Sequence, residues 1–151
     1  MYNILLNYLY SVFSSDSEVH TLTTDGYIDM DNYRKNIYPI VDISVVNSPF
    51  IIETTALNRF NVDITCLDIR DINKEEINDK FWLNDNRHDN WNSTHAILTR
   101  GINTILKDTD SDITVETITD LERIVLGKEN GLDGWQVTLT IDVPDLKSSS
   151  C

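Results

Sequence analysis

The sequence has few cysteines, and their placement argues against a disulfide-stabilised fold. Two are present: Cys66 lies within a β-like run and Cys151 is the last residue. One internal and one terminal cysteine do not make a disulfide framework, so the composition indicates a reducing compartment. A lone buried cysteine usually packs as a small hydrophobic side chain, which is the expectation for Cys66.

Long apolar runs are also missing. The most apolar segment, residues 1–13, lacks a positively charged leading part, is interrupted by Asn7, and is too short to cross a bilayer. We therefore expect a soluble protein with no membrane partner, located in the cytoplasm when it is made.

Basic residues are scarce relative to acidic ones. The chain has 12 lysines and arginines against 25 aspartates and glutamates, a formal net charge of −13. Nucleic-acid binding through the general electric field is excluded, because phosphate affinity comes from cationic side chains that displace counterions. The charge suits a surface past which DNA moves without being held, and it equally suits a small protein that must stay soluble.

Catalytic and metal-binding motifs are absent from the sequence. The spacings that position a nucleophilic serine, a nucleotide phosphate or a zinc ion do not occur. Asp108, Asp110 and Asp112 copy the opening of a calcium loop, but Ile113 and Thr119 stand where that loop needs glycine and glutamate. We expect no metal ion and no cofactor.

Two further groups of polar residues are of types that can carry out acid–base chemistry. His88 lies near Asp85 and Asp89, and Glu75 adjoins Glu76. Polar segments gather such residues by chance, and no ligand spacing supports a site, so a solvated loop is the simpler interpretation. The chain is not expected to be an enzyme.

Periodic patterns predict two helices. Leu5, Leu6, Leu9, Val12 and Phe13 recur at helical spacing, and residues 14–17 supply turn chemistry. A second helix is predicted from Trp91, with a cap at Asp89 or Asn90; its expected apolar positions are Leu98, Ile102, Ile105 and Leu106.

Strand patterns occupy most of the remaining chain. Residues 19–23 form a possible edge strand, residues 39–46 and 50–69 a long antiparallel hairpin, and residues 113–118 and 135–143 two more strands. Glycines at 127, 131 and 134 indicate a loop between the last two. The predicted fold is α+β: a mostly antiparallel β-sheet with a long hairpin, one helix packed across it and an N-terminal helix. Residues 1–143 form a single domain and residues 144–151 a flexible tail.

The polar segment 71–90 is expected to be an extended loop or arm, a length that is often functional. Phe81, Trp82 and Leu83 stand in its middle among charged residues. We expect them, with Lys74 and Arg87, to form an interface, because aromatic residues dominate interface hot spots. The alternative is that the aromatic residues fold back on their own domain as a small satellite cluster.

The order of the segments resembles tail-terminator and neck proteins of tailed bacteriophages. The resemblance covers about residues 1–143 and includes Tyr38-Pro39 at a strand opening, Asp68 near the end of a long strand, and Gly134-Trp135 in the closing strand. The segments are YPIVDIS (38–44), FNVDITCLDIRD (60–71), NWNSTHAILTRGINTILK (90–107), ITVETIT (113–119) and DGWQVTLTIDV (133–143). Asparagine and isoleucine, each about a tenth of the chain, suit a phage of an AT-rich host, such as a crAss-like phage.

The resemblance implies a subunit of a homo-oligomeric ring, six-fold or twelve-fold, at the head–tail junction of a virion. Such a ring joins the connector to the tail, contacts the adjacent connector and tail proteins, and leaves a channel through which DNA passes without specific binding. The subunit would occupy the host cytoplasm during assembly. The segment 71–90 is longer than the simplest members of the family need, and it leaves the tier of the neck open.

Other functions fit the same sequence. The chain could form another virion tier, as a tail protein or a portal-adjacent adaptor. A non-virion acidic module that binds a host protein by mimicking nucleic acid is a second class. A hydrolase that uses His88 or Glu75 is a third, and no motif favours it.

Overall fold

The computed structural model describes residues 1–24, 38–51, 57–70, 81, 86–127 and 131–144. These residues have the predicted α+β fold, with two helices on one face of a six-stranded, mostly antiparallel sheet. The elements in chain order are α1 (Tyr2–Ser14), β1 (Thr21–Thr24), β2 (Ile40–Asn47), β3 (Leu57–Ile69), α2 (Arg87–Lys107), β4 (Thr114–Ile118), β5 (Glu122–Leu126) and β6 (Leu132–Pro144).

The sheet has the order β1-β2-β3-β6-β4, and β5 also pairs with β6. β1 is parallel to β2, while the other pairings are antiparallel. β2 and β3 form the predicted long hairpin, with Ile40 opposite Leu67 and Val45 opposite Val62. β3 and β6 pair over thirteen residues each and form the centre of the sheet.

α1 forms because its apolar residues recur every three or four positions and face the sheet. Leu5, Leu9, Val12 and Phe13 are buried, as the spacing predicted. The helix ends where the Ser15 hydroxyl donates to the Val12 carbonyl oxygen, 2.7 Å away, because this bond competes with continuation of the helix. α1 packs against α2 and lies over the β1 side of the sheet.

α2 crosses the centre of the sheet and packs on β3 and β6. It begins at Arg87, four residues before the predicted Trp91, so the predicted loop 71–90 is wrong for residues 87–90. Asn86 precedes the helix, but its side chain bonds to β3 and makes no capping bond. Tertiary contacts therefore set the start of this helix.

The buried face of α2 is the predicted one except at Leu106, which is 53% exposed. Leu106 lies about 100° around the helix from the buried Ile105 and falls outside the face that packs on the sheet. Gly101 lies against α1: a Cβ atom added there would stand 2.2 Å from Cε1 of Phe13. The glycine allows the two helices to approach closely.

The core lies between the two helices and the sheet. β3 and β6 alternate apolar residues toward the helices with polar residues on the opposite face. The buried apolar residues of the two central strands that pack with the helices are Phe60, Val62, Ile64, Cys66, Val137, Leu139, Ile141 and Val143.

Strand boundaries differ from the prediction at two places. The predicted loop between the last two strands contains β5, and β6 begins at Leu132, three residues early. Gly134 thus belongs to a strand, where an added Cβ would lie 1.8 Å from the carbonyl oxygen of Cys66. A glycine is needed at position 134 because the backbone of β3 lies so close. Gly127, directly after β5, has a φ of 74°, a conformation that favours glycine.

The predicted strand 50–69 is also too long at its start, since Phe50 and Ile51 precede β3 without strand structure. The predicted flexible tail 144–151 is wrong at its first residue, because Pro144 is the last residue of β6. Residues 25–37, most of the arm 71–90 and the tail residues 145–151 lie outside the described residues.

Candidate functional site

The predicted interface is described at two of its five residues. Phe81 is 71% exposed, and Arg87 is the first residue of α2. Lys74, Trp82 and Leu83 lie outside the described residues, so their role in an interface stays a prediction.

Phe81 and Arg87 belong to a group of side chains centred on Trp91. The Phe81 and His88 rings stack with centroids 6.2 Å apart, and His88 meets Trp91 edge-on at 5.8 Å. The guanidinium carbons of Arg87 and Arg123 lie 5.8 and 4.5 Å from the Trp91 ring centroid. We call these five residues the tryptophan–arginine cluster.

The cluster is chemically suited to a protein partner. Both guanidinium groups lie within the range of about 6 Å over which a cation is attracted to an indole ring. Tryptophan and arginine are the residues most enriched in interface hot spots, and arginine pairs well with carboxylates. The cluster can therefore bind a surface that carries both apolar and acidic groups.

Two indole rings join the cluster to the sheet. Nε1 of Trp91 donates to the carbonyl oxygen of Ile124 at 3.4 Å, and Nε1 of Trp135 donates to the carbonyl oxygen of Trp91 at 2.8 Å. His95 meets the Trp135 ring edge-on at 5.2 Å. α2, β5 and β6 are thus coupled at this point, which limits movement of the cluster.

The start of α2 is fixed to the end of β3 by polar contacts. The side-chain amides of Asn86 and Asn90 donate to the carbonyl oxygen of Ile69, at 3.2 and 3.0 Å. Arg70 forms a buried, two-bond ion pair with Asp133, in which Nε lies 3.0 Å from Oδ2. A buried charge is tolerated only when it is paired, so these two residues constrain each other's positions.

Sequence patterns predicted neither this ion pair nor the exposed position of an aromatic residue. Arg70 and Asp133 were assigned no role, although charged residues that adjoin apolar strand residues are a usable signal for a buried pair. Phe50 is 92% exposed and Val46, near the end of β2, is 55% exposed. The position of Phe50 directly after Pro49, where a strand is expected to end, was the sequence feature that indicated a surface position.

The two edges of the sheet differ. β1 forms one edge with four residues. β4 and β5 together form the other, and both pair with β6 on the side away from β3. A register shift between Val115 and Thr117 interrupts this second edge, and Ile118 and Val125 are partly exposed along it. Exposed edges are sites at which another chain can add by strand pairing.

Polar side chains bond across the sheet face that lies away from the helices. Thr138 donates to Asp63 at 2.6 Å, and Arg59 donates to both carboxylate oxygens of Asp142, at 2.7 and 2.8 Å. The hydrogen bond from Arg59 lowers the pKa of Asp142 below its ordinary value, although burial opposes this. These cross-strand bonds stabilise the register of β3 on β6.

Two of the residues with candidate chemistry, Asp108 and His88, have structural partners, whereas Glu75, Glu76 and Asp85 lie outside the described residues. Asp108 accepts the Tyr8 hydroxyl at 2.8 Å and the backbone N–H groups of Asp110 and Ser111. The bond from Tyr8 lowers the pKa of Asp108, while burial and the same bond raise the pKa of Tyr8 to about 12. This carboxylate thus joins α1 to the turn that follows α2.

Among the described residues, neither His88 nor Cys66 lies in a group of side chains arranged for catalysis or metal binding. Nε2 of His88 lies 3.0 Å from the carbonyl oxygen of Phe81, which accepts its hydrogen bond. Burial raises the pKa of the Cys66 thiol, which keeps it protonated. Within the described part of the chain, no three histidine, cysteine, aspartate or glutamate residues are grouped so that they could hold a metal ion.

Comparisons with known proteins identify no relative from which a function could be inferred. The chain matches no protein-family model and no curated protein sequence. In the described ranges, neither α1 nor α2 is both long and apolar enough to cross a membrane. The surface features of the described residues that can take part in association are the two sheet edges, the exposed aromatic residues and the tryptophan–arginine cluster.

Proposed function

We propose that the chain is a structural subunit of a ring at the head–tail junction of a tailed bacteriophage, a tail-terminator or neck protein. It would join the connector to the tail around the DNA channel. The observation that carries this proposal is a single sheet in which, among the described residues, unlike strands form the two edges: β1 on one side and β4 with β5 on the other.

Unlike edges are what a closed ring requires. In a ring, each copy uses one surface to contact its neighbour on one side and a different surface on the other side. A dimer of two-fold symmetry would use a single self-complementary surface instead. A four-residue parallel edge and a longer, interrupted antiparallel edge cannot substitute for one another.

Exposed aromatic residues support contacts beyond the sheet edges. Phe50 and Phe81 are 92% and 71% exposed, and they belong to segments on either side of β3. Large apolar side chains in contact with water mark association surfaces when they occur beside polar groups. A subunit between a connector and a tail needs such contacts with the tiers above and below it.

The net charge of −13 agrees with a channel through which DNA passes. A negative wall repels phosphate, so it does not retain the moving duplex. The resemblance to neck proteins rests on a predicted order of helices and strands, and the fold contains these elements together with β1 and β5.

Quantitative mass spectrometry of purified virions tests the proposal, by counting this chain against the portal protein. A ratio of about one-half or about one is expected for a ring of six or twelve copies. Absence from the particles would overturn the proposal. It would favour the acidic module instead, which predicts a complex with a basic host protein.

Cross-linking of the same particles separates the neck from other virion tiers. A terminator or neck subunit should cross-link to both connector and tail proteins. Cross-links to tail proteins alone, or to the portal alone, would assign the chain to the alternative tail or portal-adjacent adaptor.

A further inference from the structure

Two stretches of this strongly acidic chain carry no charged residue. The two longest stretches without aspartate, glutamate, lysine, arginine or histidine are residues 1–15, which contain α1, and residues 43–52, which contain the end of β2. Copies that each have a net charge of −13 repel one another. Contact between copies is therefore opposed least where both surfaces are uncharged.

An apolar groove lies between α1 and the edge strand β1. Its volume is about 460 Å³, and the residues that line it include Leu6, Asn7, Tyr10, Leu22, Thr24 and Ile43. None of the described residues that line the groove is charged. A cavity of about 150 Å³ is enough to hold a benzene ring. The groove can therefore accept a large aromatic side chain.

The second uncharged stretch presents such a side chain. Phe50 is 92% exposed, and Val46, in the same stretch, is 55% exposed. This exposure means that Phe50 does not fill the groove of its own copy. We call residues 46–51 the Phe50 segment.

Hydrogen bonds to β3 hold the Phe50 segment in place. The Ser48 hydroxyl donates to the carbonyl oxygen of Arg59 at 2.7 Å, and the side-chain amide of Asn61 donates to Oδ1 of Asn47, also at 2.7 Å. The proline directly before Phe50 further restricts the backbone. Because an ordered segment loses less conformational entropy on binding, Phe50 is suited to anchor an interface.

The groove and the Phe50 segment belong to different parts of the sheet. The groove adjoins β1, which forms one edge. The Phe50 segment bonds to Arg59 of β3, which lies opposite Asp142 of β6, and Asp142 in turn lies opposite Thr114 at the start of β4. One copy can therefore use its groove for one neighbour and its Phe50 segment for another, as a ring requires.

We infer that Phe50 of one copy inserts into the α1–β1 groove of the next copy. The occupant of the groove is a second copy of this chain, because each copy supplies both an exposed, uncharged anchor and an uncharged groove of sufficient size. The inference rests on the proposed ring function and specifies its subunit contact. Phe81 then serves contacts with the adjacent tiers.

Other kinds of occupant fit the groove less well. A basic partner finds no carboxylate among the described residues that line it. A lipid surface is bound by helices that carry lysine or arginine on their polar face, and α1 has neither residue. The groove therefore selects its partner by apolar contact.

Complementation between two variants of the full chain tests the contact by analytical ultracentrifugation. Phe50→Asp removes the anchor and leaves the groove intact. Asn7→Glu with Tyr10→Glu places two carboxylates at exposed helix positions beside the groove and leaves Phe50 intact. Each variant alone should self-associate at least about 30-fold more weakly than the wild type, because an aromatic anchor or its pocket is lost.

An equimolar mixture of the two variants should form dimers and nothing larger. The first variant retains a working groove and the second a working Phe50, so a pair has one intact contact and no second contact to extend it. Dimer formation also shows that both variants are folded. High salt should not weaken wild-type association, because the contact contains no ion pair and salt screens the repulsion between copies.

Leu106→Asp is the matched control for Phe50→Asp. Leu106 is another exposed apolar residue, on α2 and outside both contact surfaces, so its replacement should leave association unchanged. A loss as large as that of Phe50→Asp would show that the added charge, and not the anchor, weakens association, and it would overturn the inference.

The inference is also overturned by a monomeric wild-type chain, by wild-type association in either variant, or by a mixture that stays monomeric although circular dichroism shows both variants folded. Wild-type association that weakens at high salt would overturn it as well. Particle counting separates this contact from the ring function. Ring stoichiometry in virions with association that neither variant weakens keeps the ring and rejects the contact. Successful complementation by a chain absent from virions keeps the contact and rejects the ring.

Discussion

The two ends of the β3–β6 pair differ in which face of the sheet is apolar. Around Val62 and Leu139 the face toward the helices is apolar, and the opposite face carries hydrogen-bonded polar residues. Near the end of β3 the arrangement is reversed. The helix side there holds the Arg70–Asp133 ion pair, while Leu67 and its apolar neighbours lie on the other side.

The difference separates two structural tasks. The regular half gains its stability from buried apolar area, which is roughly proportional to the surface removed from water and is not directional. The reversed end uses directional bonds, because an ion pair and two amide–carbonyl bonds fix where α2 begins. The tryptophan–arginine cluster extends from that start, so the precision of the site depends on the reversed end.

The largest effect should come from placing a charge in the regular half. Leu139→Asp puts an unpaired carboxylate at a fully buried position, at a cost of several kcal/mol, and should unfold the domain. Circular dichroism and thermal melting measure this. Ile118→Asp is the control, since Ile118 pairs with Leu139 across the sheet but is partly exposed. Unchanged melting of Leu139→Asp would contradict the assigned face of β6.

Breaking the ion pair should have the next largest effect. Arg70→Met leaves the buried Asp133 carboxylate without its cation and should lower the free energy of unfolding by about 3–5 kcal/mol. The double variant Arg70→Met with Asp133→Leu should regain most of this stability, because neither charge is then buried. Urea denaturation measures both. A single variant as stable as the wild type would show that the pair has no energetic role.

The helix–helix contact in the regular half should be sensitive to a single methyl group. Gly101→Ala gains about 1 kcal/mol of helix propensity but places a Cβ against Phe13, and such overpacking costs about 1–3 kcal/mol. We expect net destabilisation of about 1 kcal/mol by thermal melting. In a Phe13→Leu background the same substitution should become neutral or stabilising. Stabilisation by Gly101→Ala alone would mean that α1 moves aside freely.

The regular half could be predicted from sequence and the reversed end could not. Alternation in residues 60–66 and 135–143 and helical spacing in residues 1–13 reflect burial of one face, so they identify strands, helices and core. Arg70 and Asp133 are charged residues, which sequence patterns place at the surface, yet both are buried. Their pairing depends on strand register, which no local pattern contains.

The candidate site was predictable only in part for the same reason. Phe81 and Arg87 were selected because aromatic and charged residues stood in a long polar segment. Trp91 and Arg123 were not, since Trp91 was placed at the start of a helix and β5 was predicted to be a loop. The contact between Trp91 and Arg123 joins residues 32 positions apart in the chain and exists only once β5 pairs with β6.

The smallest effect should come from the ion pair on the face away from the helices. The bond from Arg59 lowers the folded-state pKa of Asp142 below the value of about 3.9 in an unfolded chain. Its stabilisation is therefore present above about pH 4 and is lost as the pH falls through the folded-state pKa. Asp142→Asn should cost about 1 kcal/mol at neutral pH, since the Arg59 side chain is 32% exposed and solvent screens the pair.

Urea denaturation from neutral pH down to about pH 3 measures this contribution. The loss caused by Asp142→Asn should shrink as the pH falls toward the lowered pKa of the wild-type carboxylate, because that carboxylate then begins to take up a proton. Asp120→Asn, at an exposed position, is the control and should leave the profile unchanged. A neutral-pH loss as large as that of Arg70→Met would remove the energetic distinction between the two pairs. The contrast between the fully buried Arg70–Asp133 pair and the partly exposed Arg59–Asp142 pair would then be wrong.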